Sequence, residues 1–335
     1  MCQALSLKHV FKLVLAVWIC FSIATNNYAQ QIDLKDVESV KVLAKNKTSH
    51  TKWTPRDTVV LSSLPSYRFI KDSDLTPYGG SLKQASKATG YFHVKQINGA
   101  WWIIDPDGGR FISKGINSVY LNRTDRSKTA VDKSFGNEAR WARDTKRLLI
   151  KNGFNTLGCW SDMKRLDKSK VELPYTLYMK LMASFAREHG LARMGSGNNQ
   201  YVGDAIPVFD PAFITYCEER FAKVAEQHAE DPWLLGVFSD NELPLRGDAL
   251  STYLALKPGN VNRVAAERWW NARQGNEPRK PKAADEQDFL QYVAETYYRI
   301  VKTAMKRHLP NHMYIGSRLI NSSASSTAVM RAGRR

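Results

Sequence analysis

Cysteine is scarce: four are present, and Cys2 and Cys20 both fall within the first twenty residues. Cys159 and Cys217 stand apart, one on a strand-like run and one on a helix-like run, which excludes a disulfide framework and a cysteine-based zinc site. Both read as buried apolar fillers. Histidine is also sparse at seven, and His308 and His312 lack further ligands at metal-binding spacing, so no metal is expected. No uninterrupted apolar run reaches the roughly 20 residues of a membrane span. The glycine fingerprint of a dinucleotide fold is missing too, because Gly115-Ile116-Asn117 lacks the spaced glycines that would cradle a pyrophosphate. No cofactor is implied. Acidic side chains are few, 32 against 49 lysines and arginines, leaving a formal net charge of +17. A nucleic acid, a membrane surface or an anionic glycan could meet such a surface. The bases are spread along the chain, however, without zinc-finger spacing or an RNA-binding aromatic signature, and no nucleic acid is expected.

What is present is the composition of a globular protein, 43% hydrophobic and 24% charged, long enough to bury a sizeable core. Residues 1–29 read as an export signal: Lys8 and Lys12 precede the apolar stretch 13–24, and small residues follow, with cleavage after Ala24 or Ala29. Cys20 lacks the small residues that precede a lipidated cysteine. The mature protein is therefore expected to be secreted, periplasmic or at the cell surface, without stable membrane association. Residues 30–89 read as a polar N-terminal extension or linker.

From Gly90 onward the pattern sharpens. Residues 92–96 alternate, Asn98-Gly99 is a strong hairpin turn, and residues 100–104 answer as a second strand. Asp105-Pro106-Asp107-Gly108-Gly109 then turns the chain into an extended run over 110–119. A helix over 138–152 closes on Gly153, residues 154–160 form the next strand, and 174–182 is read as a strand. Asp210-Pro211 starts a helix carrying Phe213, Cys217, Phe221 and Val224 on one stripe. The apolar run 233–238 follows, then a charged insertion, a long amphipathic helix over 285–308, a short strand at 313–317 and the start of a helix at 326. Strands alternating with helices predict an α/β fold with right-handed crossovers. Without a nucleotide fingerprint, an incomplete (β/α)8 TIM barrel is the reading: about strands one to five, preceded by a β-hairpin, over residues 90–335. Three strands would be unaccounted for.

The stretch WLLGVFSDNELP, residues 233–244, is the one around which the chemistry gathers. An apolar strand stops at Ser239-Asp240-Asn241-Glu242, where a parallel α/β fold keeps its active groups. Together with GYFHVKQINGAWWIIDPDGGRFISKGINSV, GFNTLGCWSD, PVFDPAF and PNHMYIGSRL, it resembles the corresponding blocks of glycoside hydrolase family 50, the β-agarases. The resemblance runs from about Gly90 to the C-terminus, with the blocks in order. It implies a retaining (β/α)8-barrel glycosidase hydrolysing β-1,4 linkages of agarose-type galactans. In that clan an Asn-Glu pair closes strand four. Asn241-Glu242 matches it, with Glu242 as general acid/base and Asn241 holding the 2-hydroxyl of the sugar beside the cleaved bond. The nucleophile of the clan closes strand seven and is expected on a C-terminal part beyond this sequence.

Chemistry asks for the same parts, since an oxocarbenium-like transition state needs one acid at the leaving oxygen and a second carboxylate across the ring. The other candidates keep two readings each. Asn241 is a sugar contact or an N-cap; Asp240 is a site residue or a structural acceptor. Asn117 ends strand one, and Trp160 and Asp162 end strand two, which puts them on the catalytic face. Trp160 stacks a sugar or seals the core. Arg318 closes strand five and fixes a hydroxyl, orients a carboxylate or makes a structural ion pair. Asn199, in the GSGNNQY loop, offers an amide to substrate or belongs to a disordered loop. Trp269-Trp270 is core packing or a platform, and residues 279–282 are a solvated run. The alternatives to a β-agarase are a non-catalytic, glycan-binding remnant, or a relative acting on a sulfated galactan, which the positive charge would suit.

Overall fold

A computed structural model describes residues 39–46, 49–59, 74–83, 85–121, 124–167, 171–192, 201–274, 279–319 and 325–333. The signal-like residues 1–29 and Asn199 lie outside them. The chain divides into two compact units, Met1–Lys71 and Asp72–Arg335. In the first, β1 (Ser39–Asn46) pairs antiparallel with β2 (Ser49–Val59), with a register shift between Lys45 and Asn46. Where the sequence suggests a linker there is thus a hairpin. The alternation of Val40 and Val42 with Lys41 is its period-two signal, concealed by the polarity of the surrounding stretch.

The second unit begins with a three-stranded antiparallel sheet of β3 (His93–Ile97), β4 (Ala100–Ile104) and β5 (Arg110–Phe111). Asn98 and Gly99 take φ of 50° and 80°, the left-handed pair that a two-residue hairpin requires. Asp105 organises the next turn from a fully buried position. Its Oδ1 accepts from the Asp107 and Gly109 amides at 3.1 and 2.8 Å, and its Oδ2 from the Gly80 amide at 3.1 Å and the Thr76 hydroxyl. Residues 74–83 therefore belong to this sheet, and Ser81 exchanges backbone bonds with Arg110 at 2.8 and 2.9 Å.

The main sheet holds β6 (Gly115–Ile116), β7 (Thr156–Leu157), β8 (Tyr175–Tyr178), β9 (Leu234–Asn241) and β10 (Met313–Arg318), all parallel, each beside its neighbour in sequence. The single run expected over 110–119 is divided: Phe111 stays in the antiparallel sheet, while Asn155 bonds Ile112 O and the Lys114 amide and starts the parallel one. Helices fill every crossover: α1 (Asp125–Phe135), α2 (Glu138–Lys151) and α3 (Met163–Leu166), then α4 (Leu181–Glu188) and α5 (Pro211–His228), then α6 (Ala249–Leu254), α7 (Val261–Asn271) and α8 (Ala283–His308), with α9 (Ser325–Gly333) after β10. Local chemistry sets their starts. Asn137 accepts from Arg140 N at 2.8 Å, and Asp210 from Ala212 N at 3.0 Å ahead of Pro211.

Helix α1 presents only a short apolar stripe, Val131 and Phe135, which pack half-buried against the core, and none of its residues is fully buried. Residues 174–182 split between strand and helix: the strand ends at Tyr178, Lys180 turns at φ 55°, and α4 begins. Trp269 and Trp270 are buried; Trp269 packs edge-on against Phe289 at 5.1 Å, and Arg273 lies 4.1 Å above it. The pair is core. Arg279 is not a solvated charge either: it forks Asp285 at 2.6 and 2.9 Å and covers Trp270.

Two apolar clusters flank the main sheet. The larger packs the helices against it; the smaller joins Phe92 and Phe111 to Leu235, with Tyr78, Met313 and Ile315 around them. Leu235, Met313 and Ile315 sit early in β9 and β10, so the antiparallel sheet covers the N-terminal ends of the strands. Burying Phe92 and Phe111 there contributes about 1.5–3 kcal/mol each. The C-terminal ends carry the loops that remain open to chemistry.

Candidate active site

The C-terminal rim has an uncommon backbone. Ser118, Trp160, Lys180 and Glu242, following β6, β7, β8 and β9, have φ of 60°, 61°, 55° and 54°. Left-handed conformations cost a side chain with a Cβ free energy, and they collect at sites where geometry is over-determined. Four consecutive strands thus turn their chain sharply at one end of the sheet.

Glu242 is held by β10: its amide donates to the Arg318 carbonyl at 2.7 Å. Two residues earlier the Asp240 carbonyl accepts from Ser317 Oγ at 3.0 Å. The Asn241 side chain is tied to the same strand, since Arg318 Nη1 donates to Asn241 Oδ1 at 2.5 Å. The Arg318 guanidinium also lies 4.5 Å from the centre of the Trp160 ring, a cation–π contact across β7 and β10. Trp160 meets Tyr178 edge-on at 5.7 Å and remains 37% exposed. The rim therefore joins Glu242, Asn241, Arg318, Trp160 and Tyr178 in one continuous set. Burial, and then the negative charge of Asp240, pushes the Tyr178 hydroxyl above its ordinary value; burial pushes the Cys159 thiol up.

Asn117 sits at the same end, pressed against the backbone of β7: a Cβ on Gly158 would come 2.0 Å from Asn117 Oδ1. Asp162 belongs to this rim as well, but Arg165 engages its carboxylate and reaches Glu138 at 2.7 Å. Asp240 does not face the cleft. It is fully buried, accepting from Met182 N at 2.9 Å, Ala183 N at 3.2 Å and the Tyr297 hydroxyl at 2.7 Å. It anchors the first turn of α4 and the middle of α8, so the structural reading of Asp240 replaces the substrate-binding one. Burial raises its carboxyl to about 6, against the opposing pull of those three donors. Asp162 and Asp240 are both committed, and neither is a free second carboxylate for Glu242. Tyr178 and Lys180 were not singled out by sequence; the only signal for them is their place at or just after the end of a strand. Among the described residues no group of three or more His, Cys, Asp or Glu could hold a metal ion.

No protein-family model matches the chain. Beta-agarase B of Vibrio sp. (strain JT0107) is 23% identical, covering 69% of this chain and 34% of that protein. Beta-agarase A of the same strain is 24% identical over 67% of this chain and 31% of its own length. The solved structure of BpGH50 superposes with a TM-score of 0.70 at 22% identity, over 88% of this chain and 68% of that one. The chain is similar to glycoside hydrolase family 50 β-agarases. Two further structures extend the likeness: the agarase AgWH50C, TM-score 0.59 at 20% identity, covering 78% of this chain and 46% of that one, and an exo-beta-agarase, TM-score 0.61 at 18% identity, covering 78% and 50%. At these identities the family 50 structures establish the fold, a mixed α/β architecture around a parallel sheet. The chain spans about one third of the length of the two curated β-agarases. No helix among the described residues is long and apolar enough to cross a membrane.

Proposed function

We propose that this chain carries the acid/base side of a β-agarase-type glycoside hydrolase, cleaving β-1,4 linkages of an agarose-type galactan with retention. The observation that carries the reading is the end of β9, where Glu242 and Asn241 are both fixed by Arg318 of β10. Glu242 donates its proton to the glycosidic oxygen as the bond to the anomeric carbon breaks. A carboxylate on the opposite wall, at about 5–5.5 Å in a retaining site, attacks that carbon, and Glu242 then takes the proton of the incoming water. Because Asn241 Oδ1 is occupied by Arg318, its NH2 is the group left to donate to the sugar 2-hydroxyl. Trp160 offers a ring face to a sugar, and Asn117 borders the same cleft. No metal or cofactor enters these steps.

In this reading the five parallel strands are the first five of a (β/α)8 barrel, with the hairpin sheet as its plug, and the second carboxylate comes from a later strand. The reading keeps residues 1–29 as an export signal and an N-terminal extension after it, but starts the catalytic domain at about residue 72 rather than 90, because residues 74–83 join its antiparallel sheet; the domain acts outside the cytoplasm. A second reading, glycan binding without turnover, is favoured by the commitment of Asp162 and Asp240 to other partners.

Reducing-sugar release from agarose, with binding measured alongside and a sulfated galactan as a parallel substrate, tests the proposal. Turnover of agarose by the chain extended through the later strands, abolished by Glu242→Gln while binding persists, is the expected result. Binding without turnover by that extended chain selects the second reading. A chain that neither binds nor cleaves agarose overturns both, and a preference for the sulfated polymer corrects the substrate.

A further inference from the structure

A cavity of about 460 Å³ opens beside this rim, between α1, the start of α2 and α3. Its size falls in the range of about 300–1,000 Å³ typical of small-molecule sites. Leu121 and Val131 supply an apolar surface, while Lys128, Asp132, Glu138 and Arg165 surround it. Two cations and two carboxylates leave no net charge, in a chain whose formal charge is +17. A sulfated or carboxylated ligand would find no excess of positive charge here, whereas hydroxyl groups would find donors and acceptors in alternation. Asn137 adds a donor: its Oδ1 caps α2 through Arg140 N at 2.8 Å, which leaves its NH2 for another partner.

The wall of the cavity is linked to the candidate active site through named contacts. Arg165 in its wall engages Asp162, two residues beyond Trp160, and Trp160 lies under the Arg318 guanidinium that holds Asn241. The loops after β6 and β7 are laced together here, Asp162 N to Val119 O at 2.9 Å and Val119 N to Ser161 Oγ at 3.3 Å. Helix α1 forms one wall: Val131 packs half-buried against the core and shows its remaining surface to the cavity, while Lys128 and Asp132 are exposed.

We infer that this cavity is a distal saccharide subsite, binding an uncharged sugar unit of a galactan whose reacting bond lies at Glu242. It rests on the function proposed above. The C–H face of the sugar lies on Leu121 and Val131, and its hydroxyls bond the surrounding side chains. A chain long enough to reach the cavity gains affinity there, and a shorter one does not.

Calorimetric titration of the Glu242→Gln chain with agarose-derived di-, tetra- and hexasaccharides tests the inference, the substitution preventing turnover. One or two added hydrogen bonds predict affinity rising about five- to tenfold once the oligosaccharide reaches the cavity. Adding Val131→Phe, which fills the cavity, or the paired exposed substitutions Lys128→Ala and Asp132→Ala, which leave the packing intact, is expected to remove that gain while the disaccharide binds as before. A gain with length that survives in both variants overturns the subsite and leaves the proposed function standing. Failure of every oligosaccharide to bind overturns both. A sulfated oligosaccharide gaining more than its neutral counterpart, in a way that Lys128→Ala abolishes, overturns the assignment to an uncharged sugar.

Discussion

Arg318 grips Asn241 from the neighbouring strand, Nη1 to Oδ1 at 2.5 Å, and its own carbonyl accepts the next amide, that of Glu242, at 2.7 Å. One residue of β10 thereby sets the rotation of the Asn241 amide and the backbone position of the acid beside it. The same guanidinium rests over Trp160, so one cation ties the ring that follows β7 to the amide of β9.

Replacing Arg318 by Ala frees the Asn241 amide to rotate. A hydrogen bond to a charged group contributes about 1.5–3 kcal/mol, which corresponds to about 10- to 100-fold in rate if it acts in the transition state. In the chain extended through the later strands, the expected outcome is a fall in kcat with a smaller change in KM for agarose, and Lys at this position restores little because its ammonium lacks the planar fork. Equal rates for Arg318→Ala and the unaltered chain would show that Asn241 needs no such hold.

Glu242→Gln removes the proton donor but keeps the shape. In the chain extended through the later strands, turnover of agarose is expected to drop about 10²- to 10⁴-fold. An aryl glycoside whose leaving group departs without protonation should retain its first step, giving a burst of released phenol followed by slow turnover. Equal losses on both substrates would assign Glu242 a role other than acid catalysis.

Asp240 makes stability depend on pH. Its folded-state value of about 6 lies above the ordinary 3.8, so the buried acid binds its proton more tightly folded than unfolded. That contribution is fully present below pH 3.8 and is lost as pH rises through about 6, a change of about 3 kcal/mol. Urea unfolding at pH 4.5 and 6.5 should show this fall in the unaltered chain and a flatter response in Asp240→Asn, other titrating groups being common to both. Parallel pH profiles for the two proteins would remove Asp240 as the cause.

Gly236 sits where β9 packs tightly beside β10, and an added Cβ would lie 2.6 Å from Met313 O and 2.7 Å from Ile315 Cγ1. Gly236→Ala must push the strands apart, and overpacking of this kind costs about 1–3 kcal/mol. Thermal denaturation should report a lower midpoint. An unchanged midpoint would mean that the two strands separate freely at this position.

Some of this was legible in the residues themselves. The Asn98-Gly99 turn, the Asp210-Pro211 helix start and the apolar run that becomes β9 each carry a signal within a few positions, because turn geometry, capping and strand burial are decided locally. Helix α1 escaped notice because its stripe is only Val131 and Phe135, both half-buried, in an otherwise polar segment. The hairpin of β1 and β2 escaped because its alternation is set in a polar stretch.

By itself the sequence determined that an apolar strand would end in Ser239-Asp240-Asn241-Glu242 at the open end of a parallel sheet. Tertiary structure decided which of those groups faces the cleft. Successive residues of a strand point to opposite sides, but which side carries the helices depends on packing from distant parts of the chain. Here Met182, Ala183 and Tyr297 claim Asp240 for the interior, while Arg318 takes Asn241 and the Glu242 backbone at the rim. Desolvation and hydrogen bonding from residues more than fifty positions away separate a buried anchor from a candidate catalytic acid two residues later.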